Sequence, residues 1–252
     1  MVPTRNLRNH LLDAMTSAEK ERLLPYLDWI PLEFGDVLYE TNEKQQHAFF
    51  PTDAIISLLY VTEDGSSTEI SMVGNEGMIG ISLLTGDGTM PNRAVVQNPG
   101  YAFRIKGSVL RREFVREERL HDMLLRYAQT LFAQTAQTAV CNRFHSVGQQ
   151  LCRWLLLSMD HLGSDEITMT QESIASMLGV RREGVTEAAG RLQKANVIMY
   201  RRGHIKILDR LSLEKSCCEC YEAVKRETER MLDFPLPARD PAVPVPARVA
   251  AR

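Results

Sequence analysis

The sequence predicts an α+β chain in three successive parts: an antiparallel all-β unit, a long helix, and a compact helical unit closed by a hairpin. Three observations predict it. From about Trp29 to Lys106, short apolar runs alternate with Gly, Asp, Asn or Pro. After Lys106 the apolar residues recur every three or four positions, the period of a helix. From Thr170 onward, small, apolar and charged residues keep the spacing of two short helices meeting at a corner, with a two-stranded ribbon behind them.

At 252 residues the chain has room for one large or two modest domains and for a sizeable core. Its composition, 44% hydrophobic and 25% charged, is that of an ordinary globular protein. No apolar run has the length of a bilayer span, and MVPTRNLRNHLLDAMTSAEK lacks the apolar core of a signal peptide. The expectation is a cytoplasmic protein without a membrane partner. Five cysteines, three of them in SCCEC, are an odd number and read as thiols rather than a disulfide framework. The net charge of −2 gives no general attraction to nucleic acid, so any such surface has to be local.

Each element follows in order. Thr16-Ser17-Ala18-Glu19 fits a capping box and predicts a short helix through Leu23 and Leu24. LEFGDVLYE, AFFPTDAIISLLYV, EDGSSTEISMVG, NRAVVQNPG and YAFRI read as strands of a sandwich or jelly roll, with Asp64-Gly65 as a hairpin turn. Leu120, Leu124, Tyr127 and Leu131 then recur at spacings of four, three and four, continued by Gln134, Thr138 and Cys141. A second stripe, Leu125, Ala128 and Phe132, could cover the β unit. The pattern alone allows one helix packed on its own core, or a parallel helix pair joining two subunits. VGQQLCRWLLLSMDH predicts another helix from Val147 to His161, and the proline-rich tail from Phe234 reads as disordered.

The stretch TQESIASMLGVRREGVTEAAGRLQKANVI carries the sharpest signal. Thr170 is placed to cap a first helix, whose inner face is Ile174, Ala175 and Leu178. Ala175 leaves room for a crossing helix, Gly179 turns the corner with positive φ, and Val180 fills it. Val185, Ala188 and Leu192 give the second helix its buried face. IMYRRGHIKIL follows as a hairpin turning at Arg202-Gly203, which makes the unit a winged helix-turn-helix. Between Thr170 and Arg210 there are eight Lys or Arg against four Glu or Asp, a local +4 in a chain of −2. That asymmetry suits a phosphate-bearing partner. Arg181, Arg182, Glu183, Thr186 and Glu187 occupy the end of the second helix that would enter a major groove. Arg can fork onto guanine and Glu can accept from cytosine. Arg201, Arg202, His204 and Lys206 of the wing suit phosphate or minor-groove contacts.

With LEFGDVLYE, EGMIGISLL, NRAVVQ, LTGDG, TQESIASMLGVRREGV and SCCECY, the chain resembles the Crp/Fnr family of bacterial transcription regulators over roughly residues 15 to 225. The resemblance implies a jelly-roll sensor like a cyclic-nucleotide-binding domain (1–112), a dimerisation helix (113–145) and a winged helix-turn-helix (146–212). A C-terminal helix with the cysteine cluster and the tail (213–252) completes it. It implies a homodimer on a palindromic operator, with RNA polymerase as a further partner. It also moves Leu120, Leu124, Tyr127 and Leu131 toward a dimer seam.

Two departures from the family pattern matter. Members that bind cyclic AMP carry Gly-Glu-x-Gly and Arg-Ser or Arg-Thr, the Glu holding the ribose and the Arg the phosphate. Here the best register is Gly77-Met78-Ile79-Gly80 and Arg93-Ala94. Met78 is no useful acceptor, and a ribose hydroxyl left unpaired costs on the order of 1–3 kcal/mol. A register shift would recruit Glu76. The cassette argues against cyclic AMP and leaves open a different small-molecule effector or none. In the second helix, Arg182-Glu183 matches the operator-reading pair of the catabolite-activator branch, while Glu187 stands where that branch has a second Arg.

No cysteine precedes Cys141, so the N-terminal iron–sulfur cluster of the oxygen-sensing branch is not expected, and His47 alone does not suggest haem. Cys217, Cys218 and Cys220 could bind a soft metal or form a redox pair; adjacent cysteines chelate poorly from one helix, which favours packing. No metal site, cofactor or catalytic constellation is assigned. The alternatives are a nucleotide-binding module whose helix-turn-helix serves protein contacts, and a thiol- or metal-responsive regulator acting through those three cysteines.

Overall fold

A computed structural model describes residues 8–232. The proline-rich tail from Phe234 lies outside them. Two short helices open the described chain, α1 (His10–Ala14) and α2 (Ser17–Leu23), the second with the expected capping box between Thr16 and Glu19. A 3-10 turn at Leu24–Tyr26 follows, where Pro25 fixes φ near the start.

The β unit contains β1 (Asp28–Leu32), β2 (Val37–Tyr39), β3 (His47–Pro51), β4 (Ile55–Val61), β5 (Ser67–Val73), β6 (Arg93–Asn98) and β7 (Gly100–Lys106). Helix α3 (Ser82–Thr85) interrupts it between β5 and β6. The strands form two antiparallel sheets, β1-β7-β3 and β2-β6-β4-β5. Asp64-Gly65 makes the β4–β5 turn as expected, with Gly65 at φ +83°. Leu32, Tyr39, Phe49, Ile56, Leu58, Val73, Ala94 and Val96 fill the space between the sheets.

Helix α4 (Gly107–Arg116) leaves the β unit, and Glu117 breaks it with an extended conformation before α5 (Glu118–Phe144). Then come α6 (Val147–Leu162), β8 (Glu166–Thr168), α7 (Gln171–Leu178), α8 (Arg182–Lys194), β9 (Ile198–Arg201), β10 (His204–Ile207), α9 (Arg210–Ser216) and α10 (Cys220–Leu232). The wing is three-stranded, in the order β8-β10-β9. The outer strand EIT is too short to show a period of its own.

The two apolar stripes of α5 lie the other way round from the expectation. Leu120, Leu124 and Tyr127 are buried inside this chain against Leu11, Phe50, Met78, Leu110 and Phe114, and Leu131 packs at the edge of the same cluster. The Tyr127 hydroxyl donates to the Met78 carbonyl at 2.8 Å. Leu120, Leu124 and Tyr127 are too enclosed to form a dimer seam, whereas Leu131 stays half-buried. Leu125 and Phe132, expected to cover the β unit, are exposed instead, Phe132 by 75%, and Ala128 is half-buried. Sequence spacing fixes which residues share a helix face; which face meets the β unit depends on the entry angle set at Glu117.

Candidate nucleic-acid interface

Helix α7 begins at Thr170, whose hydroxyl accepts from the Ser173 N–H at 3.1 Å. It ends at Gly179, left-handed at φ +64°. A Cβ there would also stand 2.9 Å from Thr68 Oγ1 on β5, so glycine is required by conformation and by contact. Ile174, Ala175 and Leu178 pack against Val185, Ala188, Ala189 and Leu192 of α8, as the spacing predicts. Arg202 and Gly203, at φ +49° and +81°, make the tight two-residue turn of the wing.

Burial of one face of α8 leaves the other free. Arg181, Arg182, Glu183, Thr186 and Glu187 lie at its N-terminal end and along that outward face. Arg182 stands 3.8 Å from the Glu172 carboxylate, and the Thr186 hydroxyl lies 2.7 Å from Gln171 Oε1, so α7 steadies these side chains of α8. Glu187 pairs with Arg191 one turn on, at 2.5 Å. Arg201, Arg202 and His204 are exposed along the wing, His204 beside the Thr168 hydroxyl.

The local charge is less available than the count suggests. Lys206 is held by Glu166 at 2.9 Å and Asp165 at 3.8 Å. Arg210 faces Asp160, Glu214 and the Tyr221 hydroxyl, each within 2.8 Å, and belongs to the scaffold. Arg181, Arg182, Arg201 and Arg202 remain as the cations best placed to meet phosphate or base edges.

The sensor residues fare differently. Met78 is buried in the core beneath α5, and a Cβ on Gly77 would collide with the Tyr127 ring and hydroxyl. Gly80 takes φ +109° against Ala48, and Ala94 is buried between the sheets. Arg93 bonds Glu40 at 3.1 Å. Glu76 is not turned toward a ligand either: it accepts from the Gly74 N–H and from His161 Nδ1 at 2.6 Å. Burial opposes both charges of that pair, but the mutual attraction wins, lowering the Glu76 pKa and raising that of His161. The cassette register therefore holds residues that close the fold. None of them lines the open cleft of about 480 Å³ whose lining includes Lys44, His47, Asp87, Lys106 and Arg111.

Helix α6 joins the two halves. Trp154, Leu155 and Leu156 lie in one core with Ile55 and Met72 of the β unit and with α7 and α8. Glu69 of β5 is buried at this junction beside Ser57; burial raises its pKa to about 7, against the pull of the Ser57 hydroxyl and Arg153.

The cysteines do not share one helix, contrary to the expectation. Cys217 caps α9, Cys218 and Glu219 form a break, and Cys220 opens α10. Cys218 and Cys220 turn inward to meet Cys141 and His145 at the end of α5, while Cys217 points to the Gln149 carbonyl. Sequence reasoning missed Cys141 and His145. Their spacing of four at the end of one helix was the available signal.

Residues 149–216 match the Crp-like helix-turn-helix domain. The fold as a whole is shared with solved structures at low identity. One is described as a putative transcriptional regulator of the Crp/Fnr family from Eubacterium rectale (TM-score 0.64, 16% identity, 84% of this chain and 97% of that one). The chain thus has the fold of Crp/Fnr regulators and carries a Crp-like helix-turn-helix domain. A Crp-family transcriptional regulator from Thermus thermophilus (TM-score 0.63, 14% identity, 74% and 95%) shares the Crp/Fnr fold with it. So does FixK2 from Bradyrhizobium japonicum (TM-score 0.61, 13% identity, 76% and 98%). Comparison with curated protein sequences gives no match. No helix among the described residues is long and apolar enough to cross a membrane.

Proposed function

We propose that this chain is a homodimeric, sequence-specific DNA-binding transcription regulator acting in the cytoplasm, without catalytic activity. The observation that carries the reading is the N-terminal end of α8, where Arg181, Arg182 and Glu183 stand exposed on a helix whose other face is locked into the core. In a major groove Arg182 and Glu183 read base edges, while Arg181, Arg201, Arg202 and His204 hold the backbone. Glu187, paired with Arg191, repels phosphate and discriminates among operators.

The dimer face in this reading is the exposed side of α5: Leu125, Gln129, Phe132, Ala136, Val140 and Phe144. Their spacings of four, three, four, four and four approach the seam of a parallel helix pair, and a two-fold axis would place the same patch on both partners. Such a dimer offers two copies of α8 to half-sites about 34–36 Å apart. Cyclic AMP is not the effector in this reading, because the cassette residues serve packing. RNA polymerase is the expected downstream partner.

Affinity for duplex DNA, measured against salt, tests the proposal. Its logarithm should fall linearly with log salt, and replacing Arg201 with Ala should reduce the slope by about 1. Salt-independent binding, or none by folded protein, would favour a module that contacts proteins instead.

A further inference from the structure

The ends of α5 and α9 and the start of α10 meet at a point that DNA reading does not use. Sγ of Cys141, Cys218 and Cys220 and a ring nitrogen of His145 all lie within 4.8 Å of one another, the three cysteines buried and His145 half-buried. In a tetrahedral zinc site, with Zn–S about 2.3 Å and Zn–N about 2.0–2.1 Å, sulfur atoms stand about 3.8 Å apart and sulfur and nitrogen about 3.5 Å. Here Cys141 Sγ and Cys218 Sγ are 3.7 Å apart, and Cys220 Sγ and His145 Nδ1 are 3.4 Å apart. These two separations are those of ligands around an ion.

The surroundings are arranged for the same purpose. His145 turns Nδ1 to the sulfurs and Nε2 to the Glu219 carboxylate at 3.3 Å, which fixes the tautomer that leaves Nδ1 free to coordinate. The Gln137 amide donates to Cys220 Sγ at 3.0 Å. Three thiolates and a divalent ion leave one negative charge. Burial raises the pKa of the Cys141 thiol, and Arg153, buried and held by the Thr138 hydroxyl at 3.2 Å, places beside it a positive charge that pulls the other way.

Local structure explains how the sequence builds this. Cys141 and His145 are one helical turn apart, and His145 leaves the helix in an extended conformation that brings its ring back over the end. The break at Cys218-Glu219 points alternate side chains, Cys218 and Cys220, to one side, while Cys152 packs into the helix-turn-helix core and Cys217 lies between that core and the cysteine cluster, its thiol toward the Gln149 carbonyl.

We propose that Cys141, His145, Cys218 and Cys220 form a tetrahedral site for one zinc ion per chain, fastening the end of α5 to α10. The site holds the helix that carries Val140 and Phe144 against the DNA-binding half, so its occupancy sets the angle between the exposed α5 stripe and α8. It stands independently of the DNA-reading proposal.

The test uses the full chain, reduced, stripped with a chelator and titrated anaerobically with cobalt(II) as a spectroscopic probe. Expected are one equivalent of tetrahedral cobalt with thiolate charge-transfer bands, its displacement by zinc, and a rise in Tm with zinc. Cys218→Ser and His145→Ala should lose the tetrahedral spectrum, with folding checked by circular dichroism. Cys217→Ser and Cys152→Ser should keep it. Glu219→Ala should keep the spectrum and weaken zinc binding about 10–100-fold. Absence of stoichiometric binding by folded reduced protein would overturn the proposal, as would binding that survives both ligand replacements. A Cys141–Cys218 disulfide formed by mild oxidation of a protein that binds no metal would replace it with a redox pair.

Discussion

In the β unit, Gly77, Met78, Gly80 and Ala94 are all committed to packing and Arg93 to an ion pair with Glu40. At the start of α8, Arg182 and Thr186 are held from one side by α7, and the exposed Arg181, Arg182 and Glu183 are left open on the other. A pocket is made by what the surrounding elements leave empty, so the same short motif can line a site or close it. A reading helix is made by what its own period leaves exposed.

The largest expected effects separate the two faces of α5. Leu124→Ala should cost about 2–5 kcal/mol in denaturant unfolding, because a fully buried side chain leaves a cavity. Phe132→Asp should change monomer stability by no more than about 0.5 kcal/mol yet abolish the dimer in sedimentation equilibrium. The reverse pattern would restore Leu124 to the seam.

Next is the junction between the halves. Glu69 has its pKa raised to about 7, so the folded chain keeps the proton while the unfolded chain loses it near 4.5. Its contribution is present below pH 4.5 and is lost as pH rises toward and through 7, by about 3 kcal/mol. The raised His161 adds a loss in the same direction above 6.5, and the lowered Glu76 loses its contribution as pH falls below 4.5. Chemical denaturation between about pH 5 and 8 should show the decline, and Glu69→Gln should flatten most of it. An unchanged slope in the variant would remove Glu69 from the account.

On the open surface, Arg182→Ala should weaken specific DNA binding by about 1–3 kcal/mol and relax one base position. At the closed cassette, cyclic AMP should leave the Tm unmoved; a concentration-dependent rise would show that the packed arrangement opens to admit it.

These predictions also mark what could be read from residues alone. The N-terminal capping box, the Gly179 corner and the Arg202-Gly203 turn were legible because each depends on a few neighbours along the chain. The face of α5 was not, since one extended residue, Glu117, sets the rotation of the whole helix. The engagement of Lys206 and Arg210 was hidden in charges on other elements, Glu166 and Asp160. The metal-like cluster was half visible: SCCEC announced sulfur, but Cys141 and His145 join it across more than seventy residues of chain.

DNA reading by α8 is tested by selection of bound duplexes from a random DNA pool by the purified, reduced chain, with Arg182→Ala as control. Enrichment of a palindrome whose half-sites lie one helical turn apart is expected, with one position per half-site losing its preference in the control. Enrichment of no palindrome by folded dimer, or of one that Arg182→Ala reads unchanged, would contradict that reading.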